Sequence, residues 1–355
     1  MSSSREPAVS ANFEQGEDMM RNSGRTLVAA LAVAIIAIPA ALAETQQIRA
    51  AQQFGLSYLP LMIMEDSKLV EKHAEAAGLK GFTISWVKLG GAAPMNDALL
   101  SGSIDFGTGG VPNLTTLWAK TKSTPLAVRG VAAMNNMPVD LVTTNPNVKS
   151  LKDLSSADKI AVTSVKVSTQ ALLLQMAAAK EWGKDNYEKL DTLTIAMPHP
   201  EAVTALLSGS GTINGHFSSP PFQYQELKDP RVRRILSSYD VLGGKATFNV
   251  VWGTSKFREE NPRAYKAFFD ALTEAITIIN ADRKAAAESY KRLTKTKETV
   301  EELQAMLEDP LVEMTLTPNG TQSVAVFMKD VGRIPEAPKS WKDLFFPEVH
   351  NLSGS

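Results

Sequence analysis

Short apolar runs alternate with longer segments of mixed character along most of the chain. Residues 47–53 predict a first strand, which leads into a helix that begins near Pro60 and runs to about residue 77. Proline suits a first helical position, where its missing N–H costs nothing. Phe82, Ile84 and Trp86 alternate with more polar neighbours and predict a second strand. Residues 104–107 predict a third strand and the continuous apolar run 126–134 a fourth, with a helix ending at Ser101 and another over 111–122. This β-α-β-α-β-α-β order implies a mostly parallel sheet covered on both faces.

The pattern breaks at Met134-Asn135-Asn136-Met137-Pro138 and then starts again. Strands are expected at 139–143, 159–163, 193–197, 214–217 and 232–236, and helices at 169–182, 200–207 and 221–227. After Gly243-Gly244-Lys245, residues 247–252 predict a strand of alternating exposure. From Pro262 the chain reads as helices over 264–281, 283–293, 300–306 and 321–331, with turns at Asn261-Pro262 and Asp309-Pro310. The tail from Ile334, with Pro335, Pro338 and Pro347, is expected to wrap the surface with few regular elements.

One device occurs twice. Ala98-Leu99-Leu100-Ser101-Gly102-Ser103 recurs as Ala205-Leu206-Leu207-Ser208-Gly209-Ser210. Each copy is followed by a short apolar strand and a loop that opens a helix. The expected fold class is therefore α/β with two lobes: 44–136 and 248–355 form the first, and 137–247 is inserted as the second. Two strands crossing between them make a hinge. The strand order within each sheet is left open.

The N-terminus adds a destination. Arg21 and Arg25 precede the uncharged apolar run 26–40, and Ala41-Leu42-Ala43 supplies small residues for a peptidase. This predicts a signal peptide cleaved after Ala43 and export to a periplasm, with translation starting at Met19 or Met20. The chain has 37 basic and 38 acidic residues and no cysteine. A near-neutral chain without a basic stripe argues against nucleic acid as a partner. Disulfides, thiolate metal sites and a lipid anchor on a mature N-terminal cysteine are excluded.

Open α/β sheets hold ligands beyond the carboxyl ends of their strands. The loops there are 55–58, 90–92, 108–111, 164–169, 198–200 and 216–220, and none contains Asp or Glu. Each precedes a predicted helix, whose free N–H groups and positive dipole end favour an anion. Ser57, Thr108, Ser164, Ser168, Thr169, Ser218 and Ser219 offer hydroxyls, which fit either ligand contact or ordinary helix capping. His216 ends a strand beside the second loop, and His199 sits between two prolines; both also suit a structural role. Tyr58 and Phe222 either clamp a ligand or fill the groove. Gly107-Thr108-Gly109-Gly110 lacks the Lys-Ser/Thr of a phosphate loop, Gly209-Ser210-Gly211 is only part of a nucleophile elbow, and the four histidines show no metal-ligand spacing. No catalytic residue, cofactor or metal is expected.

The apolar leader, the stretch from Ala98 to Pro112, the second β-α series and the helical return from Thr254 to Leu272 together resemble the solute-binding proteins of the nitrate/sulfonate/taurine ABC-importer group, the NMT1/THI5-like family. The resemblance covers about 46–346. It implies a type II periplasmic-binding-protein fold that traps a small molecule by hinge closure and passes it to a membrane permease and its ATPase. Ligand contacts implied by position are Ser57 and Tyr58, Gly90 and Gly91, Thr108, Gly109 and Gly110 from the first lobe. The second lobe supplies Ser164, Ser168 and Thr169, then His216, Ser218, Ser219 and Pro220. A monomer that binds a sulfonate-, taurine- or carboxylate-like anion is the expected form. The family's thiamine-pyrimidine branch, as a binding protein or a synthase-like enzyme, is one alternative; the yeast enzymes of that branch are associated with a cysteine-rich iron motif, which this chain lacks. A ligand-sensing subunit of a membrane signalling system is another.

Overall fold

The computed structural model describes residues 44–355, so the predicted leader lies outside the described residues. The strands are β1 (Gln47–Gln52), β2 (Thr83–Lys88), β3 (Gly107–Gly110), β4 (Val128–Asn136), β5 (Asp140–Thr143), β6 (Ile160–Val162), β7 (Thr194–Ala196), β8 (Gly215–Ser218), β9 (Arg233–Ser237), β10 (Thr247–Thr254) and β11 (Glu313–Met314). They build two mixed sheets. In the first, β1 pairs with β2 and the order β11-β4-β10-β3 follows beside it. A bridge between Ala50 and Phe106, and the Ala51 N–H donated to the Phe106 carbonyl at 2.9 Å, join the two pieces. The second sheet has the order β7-β6-β8-β5-β9.

The two sheets follow one plan. In each, the second, first and third strands of a β-α series lie side by side and parallel. A strand arriving from the other lobe then runs antiparallel between the third and the fourth. That strand is β10 in the first sheet and β5 in the second. The crossings touch where they leave the first sheet: Asn136 of β4 is paired with Thr247 of β10, whose Oγ1 donates to Asn136 Oδ1 at 3.2 Å.

The repeated hexapeptide closes equivalent helices. Ala92–Leu100 and His199–Ser208 both end just before a glycine in left-handed backbone, Gly102 at φ 71° and Gly209 at φ 66°. Only glycine takes that conformation without a Cβ penalty. Each helix then feeds the third strand of its sheet.

Several boundaries differ from the sequence reading, each for a packing reason. The long first helix is two, Leu59–Asp66 and Leu69–Ala76, because Lys68 adopts a left-handed turn at φ 49°. The third strand is Gly107–Gly110 itself and not 104–107. Its glycines make room for Trp252 of β10: a Cβ on Gly107 would lie 2.4 Å from the indole, and one on Gly109 3.1 Å. β10 does not alternate in exposure. It is buried on both faces as far as Gly253, being central between β3 and β4. The tail is not a surface wrap: Trp341, Leu344, Phe345, Phe346 and Val349 are buried, and the Phe346 N–H donates to the Gly130 carbonyl at 2.8 Å. Five large apolar side chains outweigh the scattered prolines there. Among the described residues no helix is long and apolar enough to cross a membrane.

Candidate functional site

The helices Ala92–Leu100 and Val111–Thr121 from the first lobe meet Thr169–Trp182 and His199–Ser208 from the second. The first turns of all four border one cleft. Its walls are Gln53, Phe54, Tyr58, Ala92, Gly110 and Asn113, then Thr163, Ser168, Thr169, Gln170, His199 and Ser219, with Phe248 and Asn249 at the crossing strand. No Asp, Glu, Lys or Arg is among them. Four helix N-termini therefore set the field in this space, and they set it positive.

The lobes touch directly around the cleft. Ser164 Oγ accepts the Ala92 N–H at 3.1 Å and the Ala93 N–H at 3.4 Å, so a hydroxyl of one lobe caps a helix of the other. The Leu56 N–H donates to the Pro220 carbonyl at 2.9 Å. A Cβ on Gly91 would stand 2.5 Å from the Thr163 carbonyl oxygen, and one on Gly110 only 1.5 Å from Thr169 Oγ1. These glycines are the close-approach points of the two lobes. The space left inside is about 20 Å³, enough for about one water.

Of the residues singled out from the sequence, Tyr58, Gly110, Ser168, Thr169 and Ser219 line the cleft. Burial pushes the Tyr58 phenol well above its ordinary range, so it stays a neutral donor or acceptor. Ser168 Oγ accepts the Ala171 N–H at 3.2 Å and caps its own helix. Gly90, Gly91, Ser164 and Pro220 serve the contact between lobes, Gly90 against Pro198. Ser57 faces the crossing strands, its Oγ accepting from Asn249 Nδ2 at 2.8 Å and its carbonyl from Asn135 Nδ2 at 2.7 Å. Thr108 Oγ1 donates to the Ala51 carbonyl, and Gly109 lies under Trp252. Ser218 is fully buried, and its Oγ has no partner among the described residues. His216 lies behind the wall and reaches the cleft only through His199.

Sequence reasoning did not single out Gln53, Phe54, Asn113, Thr163, Gln170, Phe248 and Asn249. It weighed His199 chiefly as structural. Gln170 and Asn113 sit in the first turns of helices that start at the expected residues, so a first-turn rule would have found both. Phe248 and Asn249 come from the return strand, whose partners were not legible.

The fold is similar to that of the alkanesulfonate-binding protein of Xanthomonas axonopodis pv. citri bound to MOPS, at 16% identity and a TM-score of 0.66, over 83% of this chain and 96% of that one. It is also similar to the periplasmic nitrate-binding protein of Synechocystis PCC 6803, at 15% identity and a TM-score of 0.67, over 85% of both chains. A Candida albicans protein described as having the generic periplasmic binding protein fold matches at 15% identity and a TM-score of 0.62, over 84% of this chain and 96% of that one. The sequence matches none of the curated proteins with which it was compared. Likeness at these identities establishes the fold: an α/β, type II periplasmic-binding-protein architecture with two lobes joined by two strands. The sequence matches the NMT1-like family over residues 42–294, and the chain belongs to that family.

Proposed function

We propose that this protein is a periplasmic solute-binding component of an ABC importer, closing on a small organic anion and delivering it unchanged to a permease and its ATPase. The sulfonate-, taurine- or carboxylate-like class fits best. The observation that carries the reading is the cleft: four helix N-termini converge on it and its walls hold no carboxylate. Each helix end favours a nearby negative charge by about 0.3–1 kcal/mol, and burial strengthens the effect. The structure is closed, with room for about one water, so a sulfonate enters only after the lobes part. Residues 44–136 with 248–355 act as one lobe, and 137–247 as the other. Closure follows from contacts that the solute makes only in the closed form.

Phe54, Tyr58 and Phe248 in the same wall favour one second occupant, a small aromatic ring such as a thiamine pyrimidine precursor. Thermal-shift screening of taurine, alkanesulfonates, nitrate, aromatic acids and pyrimidine precursors, followed by calorimetry, separates the two. A ligand of the native state raises the melting point with dose. The anion reading expects such a rise with at least one sulfonate, carboxylate or nitrate, and recovery of the compound unaltered. A rise only with pyrimidine precursors, or turnover of the compound, overturns it.

A further inference from the structure

Behind the cleft wall, four side chains form one unbroken hydrogen-bonded line. Ser219 Oγ lies 3.2 Å from His199 Nε2, His199 Nδ1 lies 2.8 Å from His216 Nε2, and His216 Nδ1 lies 2.5 Å from Glu226 Oε1. His216 and Glu226 have zero exposure, and Ser219 and His199 are almost as deep. Only Ser219 and His199 reach the cleft. Glu226 Oε2 is buried without a partner among the described residues, so the carboxyl group acts through His216 alone.

Three links need three protons, and two arrangements supply them. In the first, Ser219 donates inward, each ring donates from Nδ1, and Glu226 accepts. The line then holds a net negative charge and offers the cleft only the lone pairs of Ser219. In the second, one more proton is present. His199 donates from Nε2 to Ser219, His216 donates from Nε2 to His199, and His216 and Glu226 share a proton. The line is then neutral in sum, and the Ser219 O–H is free to donate into the cleft. Burying a net charge is costly, which favours the second form, and an anion in the cleft favours it further. Gln170 Nε2, 3.3 Å from His199 Nε2, belongs to an amide that can present either N–H or oxygen.

Few other charges face this line. Asp140 on β5 lies opposite Ser218 on the same sheet face as His216, held by Gln223 Nε2 at 3.3 Å and Arg234 at 3.5 Å. Glu201, on the helix that carries His199, is exposed. Tyr224, on the helix that carries Glu226, turns its hydroxyl to Asp309. β6 contributes only Ile160, Ala161 and Val162. Tyr58 faces from the other lobe and stays neutral.

We propose that Glu226 and His216 are positioning residues that set the polarity of the cleft through His199 and Ser219, so that the protein takes up a proton together with a hydrogen-bond-accepting oxyanion. This rests on the anion reading above and adds a coupling to it. The decisive test begins without a solute. Histidine side-chain nitrogen NMR on the whole protein from pH 5 to 9 is expected to show the two rings gaining one proton between them in a single step, with the His199 proton moving from Nδ1 to Nε2. In Glu226→Gln the step should shift to lower pH or vanish. Two independently titrating rings, or a His199 Nε2 that never carries a proton, overturn the proposal.

Calorimetry with nitrate and with methanesulfonate, in buffers of different protonation enthalpy, then measures uptake. Above the step, affinity should fall up to about tenfold per pH unit, as linkage of one proton requires. Ser219→Ala should lower affinity and flatten that dependence while the NMR step persists. Binding with no proton uptake above the step also overturns the coupling. If neither anion binds at any pH, the carboxylate and taurine arms of the thermal-shift screen decide the anion reading, and the NMR result alone decides the relay.

Discussion

Asp105 and Asn214 make the same link in the two sheets. Asp105 Oδ2 accepts the Arg49 N–H at 2.8 Å, and Asn214 Oδ1 accepts the Lys159 N–H at 2.8 Å. The backbone repeats the match: residues 105 and 106 both donate to the Arg49 carbonyl, and residues 214 and 215 both donate to the Lys159 carbonyl. Each side chain ties the first strand of its β-α series to the third, just after a copy of Ala-Leu-Leu-Ser-Gly-Ser. One is a carboxylate and the other an amide, so the link itself needs only an oxygen acceptor.

Asp105→Asn is therefore expected to be nearly silent. It gives up the ion pair with Arg49, which is two-fifths exposed, and exposed pairs contribute about 0–1 kcal/mol. Asn214→Ala removes the acceptor for Lys159 and a donor to Asp158 Oδ1 at 2.9 Å, and should cost about 1–3 kcal/mol. Urea unfolding of the two variants checks the contrast. Equal losses would mean that the charge on Asp105 matters more than its geometry.

Gly91 and Gly110 test closure. Neither needs glycine for its backbone, since φ is −175° at Gly91 and −79° at Gly110. A methyl group at either would strike the opposite lobe, at the Thr163 carbonyl or at Thr169 Oγ1. Gly91→Ala and Gly110→Ala should keep the wild-type unfolding midpoint without solute and hold the lobes apart. With solute present, small-angle scattering should show a larger radius of gyration than for wild type. Apparent affinity should fall in proportion to the lost closed fraction. A variant that scatters like wild type and binds equally well would place the moving surface elsewhere.

Ser164→Ala probes the cap that spans the lobes. In the closed form it leaves the Ala92 and Ala93 N–H groups without their acceptor, and a lost cap costs about 0.5–2 kcal/mol. Because the bond exists only across the closed cleft, the loss should appear in solute affinity, about 2- to 30-fold. Melting temperature without solute should move little if the lobes part readily in solution. Calorimetry and a thermal melt on the same variant check both halves.

The strand and helix series was legible because local period carries it. Thr169–Trp182 stands where its apolar spacing put it, and the doubled hexapeptide announced the doubled plan. What local pattern could not show was which residues meet across the lobes. Gly107 looked like a strand end and Gly109 like part of a ligand loop, yet both are small because Trp252 lies on them, and Trp252 is some 145 positions away in sequence. Ser164 looked like a ligand donor and serves a helix of the other lobe. His199 looked structural between its two prolines, and only the pairing of β6 with β8 brings it beside His216. Each of these depends on a long-range neighbour, which periodicity does not encode.

The pH dependence of stability should carry the signature of His199. Burial holds its imidazole well below the ordinary histidine range of 6.5, and the neighbouring His216 lowers it further. In the unfolded chain this ring takes a proton as pH falls through about 6.5; in the folded protein it does not. The unfolded state then binds more protons, so stability rises with pH below 6.5 and the term is constant above it. The slope from this one group is at most about 1.4 kcal/mol per pH unit. His199→Gln should remove this slope while keeping a polar group at the cleft wall. Urea unfolding of both proteins at pH 7.5, 6.5 and 5.5 is the measurement. The curves should converge as the pH falls, and a constant gap between them would show that the ring charges as readily folded as unfolded.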